Sequence, residues 1–369
     1  MKYIICGPFT NELSEKYMDV LPAAGKFLYN LSYGLECNGY KVIRAVYIPY
    51  DIEPGCENFV EAAYSNDQIV VRRGGERSKS TKEYQRQILE YVNKDTTVIF
   101  YNINYSLFGL YEAVVKKGGK PLLILADHGH SSACKNIKRK IYAMMCEHEF
   151  KKFDKVIQLS AETKVKFKKN ADRMVLEGGI NYDEFEHYEM PVRRGKLHYT
   201  STGSLKPLLG VDMLLRTIAQ SKRNDFVFTF SGRGESVPDI EKASQKDTRI
   251  EYKGFLSRKD YSEMMSQTNV FVSARNMEFE KNNNSFPSKI LEYLATGRII
   301  VSTKFPGYQK FQESIIFYNG TDEELLSIMD KVADDYDELA CKYYTVNRKF
   351  AMTFDWKNQA KRIAAFMEE

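Results

Sequence analysis

Short apolar runs alternate with amphipathic stretches along the whole chain. The apolar runs are rich in branched and aromatic residues and are four to eight residues long, which is typical of buried strands. In the first half, the predicted strands cover residues 3–6, 41–48, 97–101, 121–126 and 155–159, and the predicted helices cover residues 27–36, 83–92, 107–116 and 137–150. Strands that alternate with helices predict an α/β fold with largely parallel sheets.

The same alternation restarts after a polar stretch at residues 183–195, which contains Pro191 and is predicted to be a linker. In the second half, the predicted strands cover residues 197–200, 226–230, 249–252, 269–273 and 299–302. A last amphipathic helix is predicted at residues 358–367, shortly after Trp356. Two similar halves predict two domains with a cleft between them.

Length and composition agree with a two-domain globular protein. The chain has 369 residues, of which 43% are hydrophobic and 28% are charged. No apolar run approaches the roughly 20 residues of a membrane span, and the first strand follows Met1 too closely for a signal peptide. The six cysteines have no metal-binding spacing, so we expect reduced thiols in a cytoplasmic protein without a metal site.

The formal charge of +5 is unevenly distributed. One part of the first half carries a cluster of basic residues, namely Lys135, Lys138, Arg139, Lys140, Lys151, Lys152, Lys155, Lys164, Lys166, Lys168 and Lys169. Apolar residues such as Ile137, Ile141 and Met144 lie between them, which is typical of a helix that rests on an anionic membrane surface. The alternative is a solvated helix face over an ordinary core. No nucleic-acid-binding motif accompanies the charges, so no nucleic-acid partner is expected.

The most informative stretch covers residues 282–301. Pro287 suits the first position of a helix, and Gly297 suits the residue just after its end. Apolar runs on both sides predict a strand, loop, helix, strand unit. In such a unit the N-terminus of the helix lies near the carboxyl end of the sheet, where its dipole and its free N–H groups favour a phosphate.

One acidic side chain lies on the same helix. Glu292 comes four residues after Ser288 and three after Lys289, so these residues share a helix face. A carboxylate in this place can accept hydrogen bonds from a ribose diol while Lys289 and the backbone hold phosphates. The alternative is an ordinary amphipathic helix whose charged residues are solvated.

The segment from Phe286 to Gly297, with Ile300, Val301, Ser302 and Thr303 after it, resembles the donor-site signature of family 4 glycosyltransferases. The resemblance implies the GT-B fold, in which two Rossmann-like domains with parallel sheets face each other across a cleft. It also implies that the last helix crosses back to the first domain. The expected domains are therefore residues 1–188 with 355–369, which bind the acceptor, and residues 189–354, which bind the nucleotide sugar. Phe286, Pro287, Ser288 and Glu292 are then donor-binding residues.

Residues 202–215 resemble the first strand-to-helix loop of the second domain in that family. The resemblance implies diphosphate contacts from Gly203 and Ser204. Many members have an arginine and a lysine where this chain has Ser204 and Leu209, so we assign Lys206 as the substitute catalytic cation. The alternative for Lys206 is a loop lysine without a role.

The family places two acidic residues eight positions apart, and here the first position is Asn284. This departure, with Arg275 before a variable loop, resembles a subgroup that makes bacterial surface polysaccharides such as capsule, exopolysaccharide and lipopolysaccharide. The resemblance implies donor contacts from Arg275, Asn284 and Ser285, with Glu280 as a weaker candidate.

Three further loops are candidates for donor contacts, and two of them resemble loops of the family. Residues 253–257 resemble the loop that packs on the base, which implies roles for Gly254, Phe255 and Leu256, although Phe255 has the alternative of a core aromatic residue. Arg233 lies in a glycine-rich turn that could approach a phosphate. Gly25 lies in a loop that resembles the one facing the donor phosphates from the first domain.

Titratable residues end the predicted strand at residues 121–126 of the first half. Asp127 and His128 would lie at the carboxyl edge of the sheet, and family members often have such a residue near the reacting sugar. They are the candidates for positioning or deprotonating the acceptor hydroxyl. The alternative is a hydrogen-bonded structural pair.

Together these features predict a retaining, metal-independent glycosyltransferase of the hexosyltransferase type. The donor would be a UDP- or GDP-sugar, and the acceptor a glycan or a lipid-linked glycan in surface polysaccharide biosynthesis. Catalysis would depend on Asp127, His128, Lys206 and Lys289, without a cofactor. The expected location is the cytoplasm, with association at the inner face of the cell membrane. The alternatives are a nucleotide-sugar-binding subunit without turnover and a GT-B epimerase of UDP-sugars.

Overall fold

The computed structural model describes residues 1–11, 22–48, 56, 62–72, 77–126, 131, 134, 136–160, 165–276 and 286–369. It divides into two compact units, Met1–Gly179 with Trp356–Glu369 and Ile180–Asp355. The sequence predicts the end of the first domain at residue 188, whereas the structure places it at Gly179. The second unit begins earlier because Ile180, Phe185 and Tyr188 pack into one of its hydrophobic clusters.

The first unit is built on a seven-stranded parallel sheet in the order β3-β2-β1-β4-β5-β6-β7. Its strands are β1 (Lys2–Gly7), β2 (Lys41–Ile48), β3 (Ile69–Arg72), β4 (Thr96–Tyr101), β5 (Lys120–Leu125), β6 (Lys155–Gln158) and β7 (Asp172–Val175). Its helices are α1 (Pro22–Cys37), α2 (Arg77–Glu90), α3 (Leu110–Lys116) and α4 (Ile137–Phe150), and the last helix of the chain completes the unit.

The five strands predicted for this half are confirmed, whereas β3 and β7 were not predicted. Strand β4 is buried along its whole length, as expected for a parallel strand covered on both faces. Strands β3 and β7 form the two edges of the sheet and have four residues each. The charged, half-exposed sequence of β7 lacks the apolar run on which the prediction of a strand depends.

The second unit is built on a six-stranded parallel sheet in the order β10-β9-β8-β11-β12-β13. Its strands are β8 (Leu197–Ser204), β9 (Phe226–Arg233), β10 (Ile250–Tyr252), β11 (Val270–Ser273), β12 (Ile299–Thr303) and β13 (Ile316–Tyr318). Its helices are α5 (Val211–Gln220), α6 (Val237–Ser244), α7 (Arg258–Gln267), α8 (Lys289–Thr296), α9 (Asp322–Asp334) and α10 (Tyr336–Ala351).

The strand order of the second unit defines where a ligand would bind. From β8 the chain adds β9 and β10 on one side of the sheet, and it then returns to add β11, β12 and β13 on the other side. The point at which the strand order reverses therefore lies between the neighbouring strands β8 and β11. Ligands of open parallel sheets bind outside the carboxyl ends of the strands at such a point.

Alternate side chains of the central strands pack into two separate clusters in the second unit. Val270 and Val272 face one cluster, and Phe271 between them faces the other. The second cluster contains the apolar side of α8, including Ile290 and Leu294. Helix α8 is therefore fixed against the sheet by apolar contacts, which leaves its polar side chains to define the site.

The last helix, α11 (Trp356–Glu368), belongs to the first unit, as the resemblance implied. The buried Trp356 ring meets Phe27 of α1 edge to face, with ring centroids 4.9 Å apart. Gln359 donates a hydrogen bond of 2.6 Å from Nε2 to the Gly178 carbonyl oxygen. The indole and the amide thus bind the end of the chain to the first unit.

Several helices begin at a side chain that caps the free backbone N–H groups. The Asn136 side chain accepts hydrogen bonds from the N–H groups of Lys138 and Arg139 at the start of α4. The Ser257 hydroxyl oxygen accepts from the Asp260 N–H at the start of α7. Within the described ranges, no helix has both the length and the apolar character needed to cross a lipid bilayer.

Candidate functional site

The loop after β8 packs directly against the loop after β11 at the carboxyl edge of the second sheet. Gly210 begins α5 with φ of 75°, and a Cβ added there would lie 2.0 Å from the Ala274 carbonyl oxygen. The Asn276 N–H donates to the Leu208 carbonyl oxygen at 3.1 Å, which joins the same two loops. Only glycine allows this close approach of two backbones at the point where the strand order divides.

Two more glycines bring the loops after β9 and β10 to the same edge. Gly232 has φ of 142°, and a Cβ added there would lie 1.7 Å from the Gly203 carbonyl oxygen. Its N–H donates to the Gly254 carbonyl oxygen at 2.9 Å. Gly203 and Gly254 also have positive φ, but a Cβ at either of them would point into open space. The edge is therefore lined by backbone that a ligand can approach closely.

An exposed aromatic ring lies beside these glycines. Phe255 is 62% exposed, so the alternative of a core aromatic residue is wrong. The Arg233 guanidinium carbon lies 4.1 Å from the centroid of its ring, in the geometry of a cation–π contact. The exposed ring and the guanidinium form a flat platform beside the carboxyl ends of β9 and β10.

Glu292 and Lys289 form an ion pair in the first turn of α8. Lys289 Nζ lies 2.9 Å from Glu292 Oε2, and the carboxylate side chain is 13% exposed while the lysine side chain is 41% exposed. The two residues therefore contact each other as their spacing predicts, with the acid almost buried and the lysine side chain partly exposed. The alternative of a solvated glutamate does not fit this burial.

Tyr261 of α7 contacts both members of the pair. Its hydroxyl donates to Glu292 Oε2 at 3.1 Å, and Lys289 Nζ donates to the tyrosine hydroxyl oxygen at 3.3 Å. The same ammonium nitrogen lies 4.8 Å from the centroid of the Tyr261 ring. The sequence analysis missed Tyr261, because its position beside Glu292 depends on the packing of two helices that are separate in sequence.

The protonation states of these groups follow from burial and from their mutual charges. Burial lowers the pKa of Lys289, but the Glu292 carboxylate raises it by more, so the net shift is upward. Burial raises the pKa of Tyr261 well above its usual value, and the charge of Glu292 raises it further. At neutral pH the ammonium group is therefore charged and the phenol keeps its proton, so both act as hydrogen-bond donors.

A chain of hydroxyl groups connects Tyr261 to the central strand of the sheet. Thr202 Oγ1 lies 3.3 Å from the Tyr261 hydroxyl and 2.8 Å from the Tyr293 hydroxyl. The Tyr293 ring stacks on Phe271 with centroids 4.1 Å apart. The carboxyl end of β8 is thereby joined to α7 and α8 through partly buried hydroxyl groups.

The start and end of α8 are close to the prediction. The helix begins at Lys289 with Ser288 as the preceding residue, so Pro287 lies just before the helix rather than at its first position. Gly297 ends the helix with φ of 72°, as predicted. Phe286 packs against Phe305 at a centroid distance of 5.4 Å, so its ring belongs to an aromatic cluster and anchors the approach to the helix.

The remaining predicted residues of the second unit lie around the same edge. Ser204 is exposed at the end of β8, and Lys206 is exposed in the loop that follows. Leu256 packs partly against the cluster under α8. The Arg275 N–H donates to Thr303 Oγ1 at 3.0 Å, which holds the loop after β11 against β12. Their roles in binding stay predictions.

The other predicted residues are outside this edge or outside the described ranges. Gly25 lies in α1 of the first unit, where a Cβ would lie 2.2 Å from the Thr10 carbonyl oxygen, so local packing already requires glycine. A contact of Gly25 with phosphate stays a prediction. The predicted residues outside the described ranges are Asp127, His128, Glu280, Asn284 and Ser285.

In the part of the chain that the structure describes, no group of three or more histidine, cysteine, aspartate or glutamate residues is placed to hold a metal ion. The charged groups at the carboxyl edge of the second sheet include the cations Lys206, Arg233, Arg275 and Lys289 and the acids Glu235 and Glu292. The cations among these residues outnumber the acids, which suits an anionic ligand.

The close contact between Gly232 and Gly203 yields a stability prediction. We expect Gly232→Ala to lower the free energy of unfolding by about 3 kcal/mol or more, since strain at positive φ adds to a collision with backbone. Gly254→Ala is the matched control, because it has positive φ but open space, and it should cost about 1–2 kcal/mol. Urea unfolding of the two variants measures the difference. Equal losses would contradict the contact.

The sequence and the fold were compared with known proteins. Residues 197–335 match a family model described as "Glycosyl transferases group 1". No curated protein sequence matches the chain.

Several solved structures are similar over the whole chain. The Anabaena protein HepE, solved with UDP and glucose, has a TM-score of 0.71 at 13% identity, with 100% of this chain and 99% of that chain covered. A glycosyltransferase from Rickettsia africae has a TM-score of 0.70 at 14% identity, with 100% and 98% covered. The N-terminal domain of Candida albicans trehalose-6-phosphate phosphatase has a TM-score of 0.69 at 10% identity, with 100% and 97% covered.

These similarities establish the fold, and they support a coarse assignment of function. The two Rossmann-like units with parallel sheets have the GT-B fold, which confirms the predicted fold class. The family match covers the unit that contains Glu292, Lys289 and the glycine-lined edge. Together, the family match and the fold support a group 1 glycosyltransferase of the GT-B type.

Proposed function

We propose that the protein transfers a sugar from a nucleoside diphosphate sugar whose nucleotide binds at the carboxyl edge of the second sheet. The observation that carries the proposal is the ion pair of Glu292 and Lys289, which lies at the start of α8 with its acid almost buried. HepE, which has a similar fold, was solved with UDP and glucose and also with UDP-glucose, and this supports a nucleotide-sugar donor.

The diphosphate would lie between the loop after β8 and the N-terminus of α8. Gly203 leaves open space there, and the first N–H groups of α8 point out of the helix. Lys289 and Lys206 supply positive charge to the phosphates, with Arg275 as a further cation. Such groups stabilise the negative charge that develops on the departing phosphate oxygen.

The nucleoside would occupy the rest of the edge. The Glu292 carboxylate accepts hydrogen bonds from the two ribose hydroxyls, since an ionised carboxylate has only acceptor sites. The exposed Phe255 ring and the Arg233 guanidinium offer a face for the base, while the Gly254 backbone is open for its edge.

The reaction that fits these groups keeps the configuration of the sugar and needs no metal ion. The acceptor hydroxyl oxygen bonds to the anomeric carbon on the face from which the diphosphate leaves. The carbon–oxygen bond to the diphosphate breaks, and the hydroxyl proton passes to the leaving phosphate oxygen. Asp127 and His128 are proposed to position the acceptor or to take part in this proton transfer. A hexose donor and a role in bacterial surface polysaccharide biosynthesis follow from the resemblance of the donor loop.

Two alternatives share the nucleotide site. A binding subunit without turnover is favoured by Ser204 and Leu209, which stand where many group members have charged residues. An epimerase would use the same donor without an acceptor.

Incubation with a panel of UDP- and GDP-sugars distinguishes the transferase, the binding subunit and the epimerase, when free nucleoside diphosphate and product sugars are both detected. A transferase releases UDP or GDP with acceptor or by slow hydrolysis; a binding subunit releases none, and an epimerase interconverts the donor sugars.

The surface of α4 supports an anionic membrane as a further partner. Ile137 is 67% exposed, and Ile141, Tyr142, Met144 and Met145 of the same helix are also exposed large apolar residues. Exposed Lys138, Arg139 and Lys140 lie among them. Apolar side chains that insert between lipids, next to cations that meet anionic headgroups, fit a protein that binds at the inner face of the cell membrane. A lipid-linked acceptor would be presented on the same surface.

The ribose contact predicts the behaviour of Glu292→Ala. We expect this variant to bind UDP more weakly by about 1.5–3 kcal/mol, which is the scale of hydrogen bonds to a charged group. Isothermal titration calorimetry with UDP and GDP measures the change. Glu241→Ala, which removes an exposed acid from α6, is the control and should bind as the wild type does. If Glu292→Ala binds UDP as tightly as the wild type does, the carboxylate does not contact the ribose.

The membrane proposal predicts a loss of binding after charge reversal on α4. A variant with Lys138, Arg139 and Lys140 all changed to glutamate should no longer float with vesicles that contain phosphatidylglycerol, because each basic residue contributes about 1 kcal/mol near an anionic surface. A control with Lys242, Lys246 and Lys331 changed to glutamate has the same net charge and should still float. If both variants float with the vesicles to the same extent, α4 is not the surface that binds the membrane.

A further inference from the structure

We propose that Tyr261 is a positioning residue that holds the Glu292 carboxylate in the orientation needed to bind the ribose. The inference rests on the proposed nucleotide site and adds a residue from a different helix to it. Tyr261 would act through Glu292 rather than by contact with the reacting atoms.

Lys289 and Tyr261, which both donate to the Glu292 carboxylate, differ in their freedom to move. Lys289 has a long side chain that is 41% exposed, and its ammonium group is a donor that a phosphate can attract. Tyr261 has a ring that packs against the hydrophobic cluster under α8 and a hydroxyl that donates to Glu292 Oε2 at 3.1 Å. The lysine can turn toward a ligand, whereas the tyrosine hydroxyl stays in place.

This difference matters when the nucleotide binds. In the structure, one oxygen of Glu292 accepts from both Lys289 and Tyr261. If the ammonium group moves to the diphosphate, the carboxylate loses its charged partner at the moment when it must bind the ribose hydroxyls. The Tyr261 hydroxyl then keeps the carboxylate oriented, and the tyrosine ring remains within reach of the ammonium group.

A purely structural role for the hydroxyl is the alternative, since Thr202 Oγ1 lies 3.3 Å from it. Thr202 has a shorter contact of 2.8 Å with the Tyr293 hydroxyl. Loss of the Tyr261 hydroxyl therefore leaves Thr202 with a hydrogen-bond partner. The Glu292 carboxylate, in contrast, loses the hydrogen bond that the Tyr261 hydroxyl donates to it. The expected effect is on ligand binding at the ribose rather than on folding.

The test compares UDP with 2′,3′-dideoxy-UDP, which lacks the two ribose hydroxyls. We expect the wild type to bind UDP at least about tenfold more tightly than the dideoxy compound, as hydrogen bonds to a carboxylate imply. Tyr261→Phe should lose about tenfold in affinity for UDP and keep its affinity for the dideoxy compound. Combining Tyr261→Phe with Glu292→Ala should weaken UDP binding no further than Glu292→Ala does alone.

Tyr199→Phe is the matched control. It also removes a buried tyrosine hydroxyl of the second unit, one that donates to the Met329 carbonyl oxygen at 3.1 Å on the other face of the sheet. We expect its affinity for both ligands to equal that of the wild type. Thermal unfolding of all variants reports any general loss of structure. Such a loss would lower the affinity for UDP and for the dideoxy compound alike.

Three outcomes overturn the inference in distinguishable ways. Unchanged UDP affinity in Tyr261→Phe would show that the hydroxyl does not position the carboxylate. An equal loss for UDP and for the dideoxy compound would assign the hydroxyl a structural role only. A wild type that binds both compounds equally would remove the ribose contact of Glu292 itself, so that the proposed nucleotide site would fail along with the inference.

Discussion

A largely desolvated carboxylate next to an accessible ammonium group is the interaction on which the candidate site depends. Removing a carboxylate from water costs several kcal/mol unless other groups compensate for the lost hydration. Glu292 is compensated by Lys289 at 2.9 Å and by the Tyr261 hydroxyl at 3.1 Å. These two donors orient the carboxylate before a ligand arrives. Because the lysine side chain is more exposed than the acid, a phosphate can attract the ammonium group without exposing the acid to water.

The position of this pair depends on close backbone contacts as well as on the apolar packing of α8. Helix α8 lies between β11 and β12, and Gly297 lets the chain turn into β12 directly after the helix ends. A Cβ at Gly297 would lie 2.6 Å from Tyr344 Cδ2, so α10 packs closely on this turn. At the other end of the unit, Gly210 and Gly232 allow the loops after β8, β9 and β11 to approach one another. Close backbone contacts thus bring the glycine-containing loops and the ion pair to one edge.

The sequence predicts those parts of this arrangement that depend on local spacing. The strands, the end of α8 at Gly297 and the shared face of Lys289 and Glu292 follow from periodicity within a few residues. Three edge strands were missed: β7 lacks an apolar run, and β3 and β13 have only four and three residues. Tyr261 was also missed, because it meets Glu292 through packing between α7 and α8 that no local pattern encodes. The exposure of Phe255 likewise depends on tertiary structure, since an isolated aromatic residue is more often buried.

The two halves of the chain differ in how much their sequences indicate about function. A nucleoside diphosphate always presents the same phosphate charges and ribose hydroxyl groups, so related proteins that bind it in the same way share loops of similar sequence. The family match accordingly lies within residues 197–335 of the second unit. An acceptor varies from one enzyme to the next, and binding it demands no common set of residues. The first unit instead has a general chemical feature, a helix with exposed Ile137 and neighbouring cations. The membrane proposal depends on this feature alone, because apolar insertion and charge attraction at an anionic lipid layer require no specific sequence.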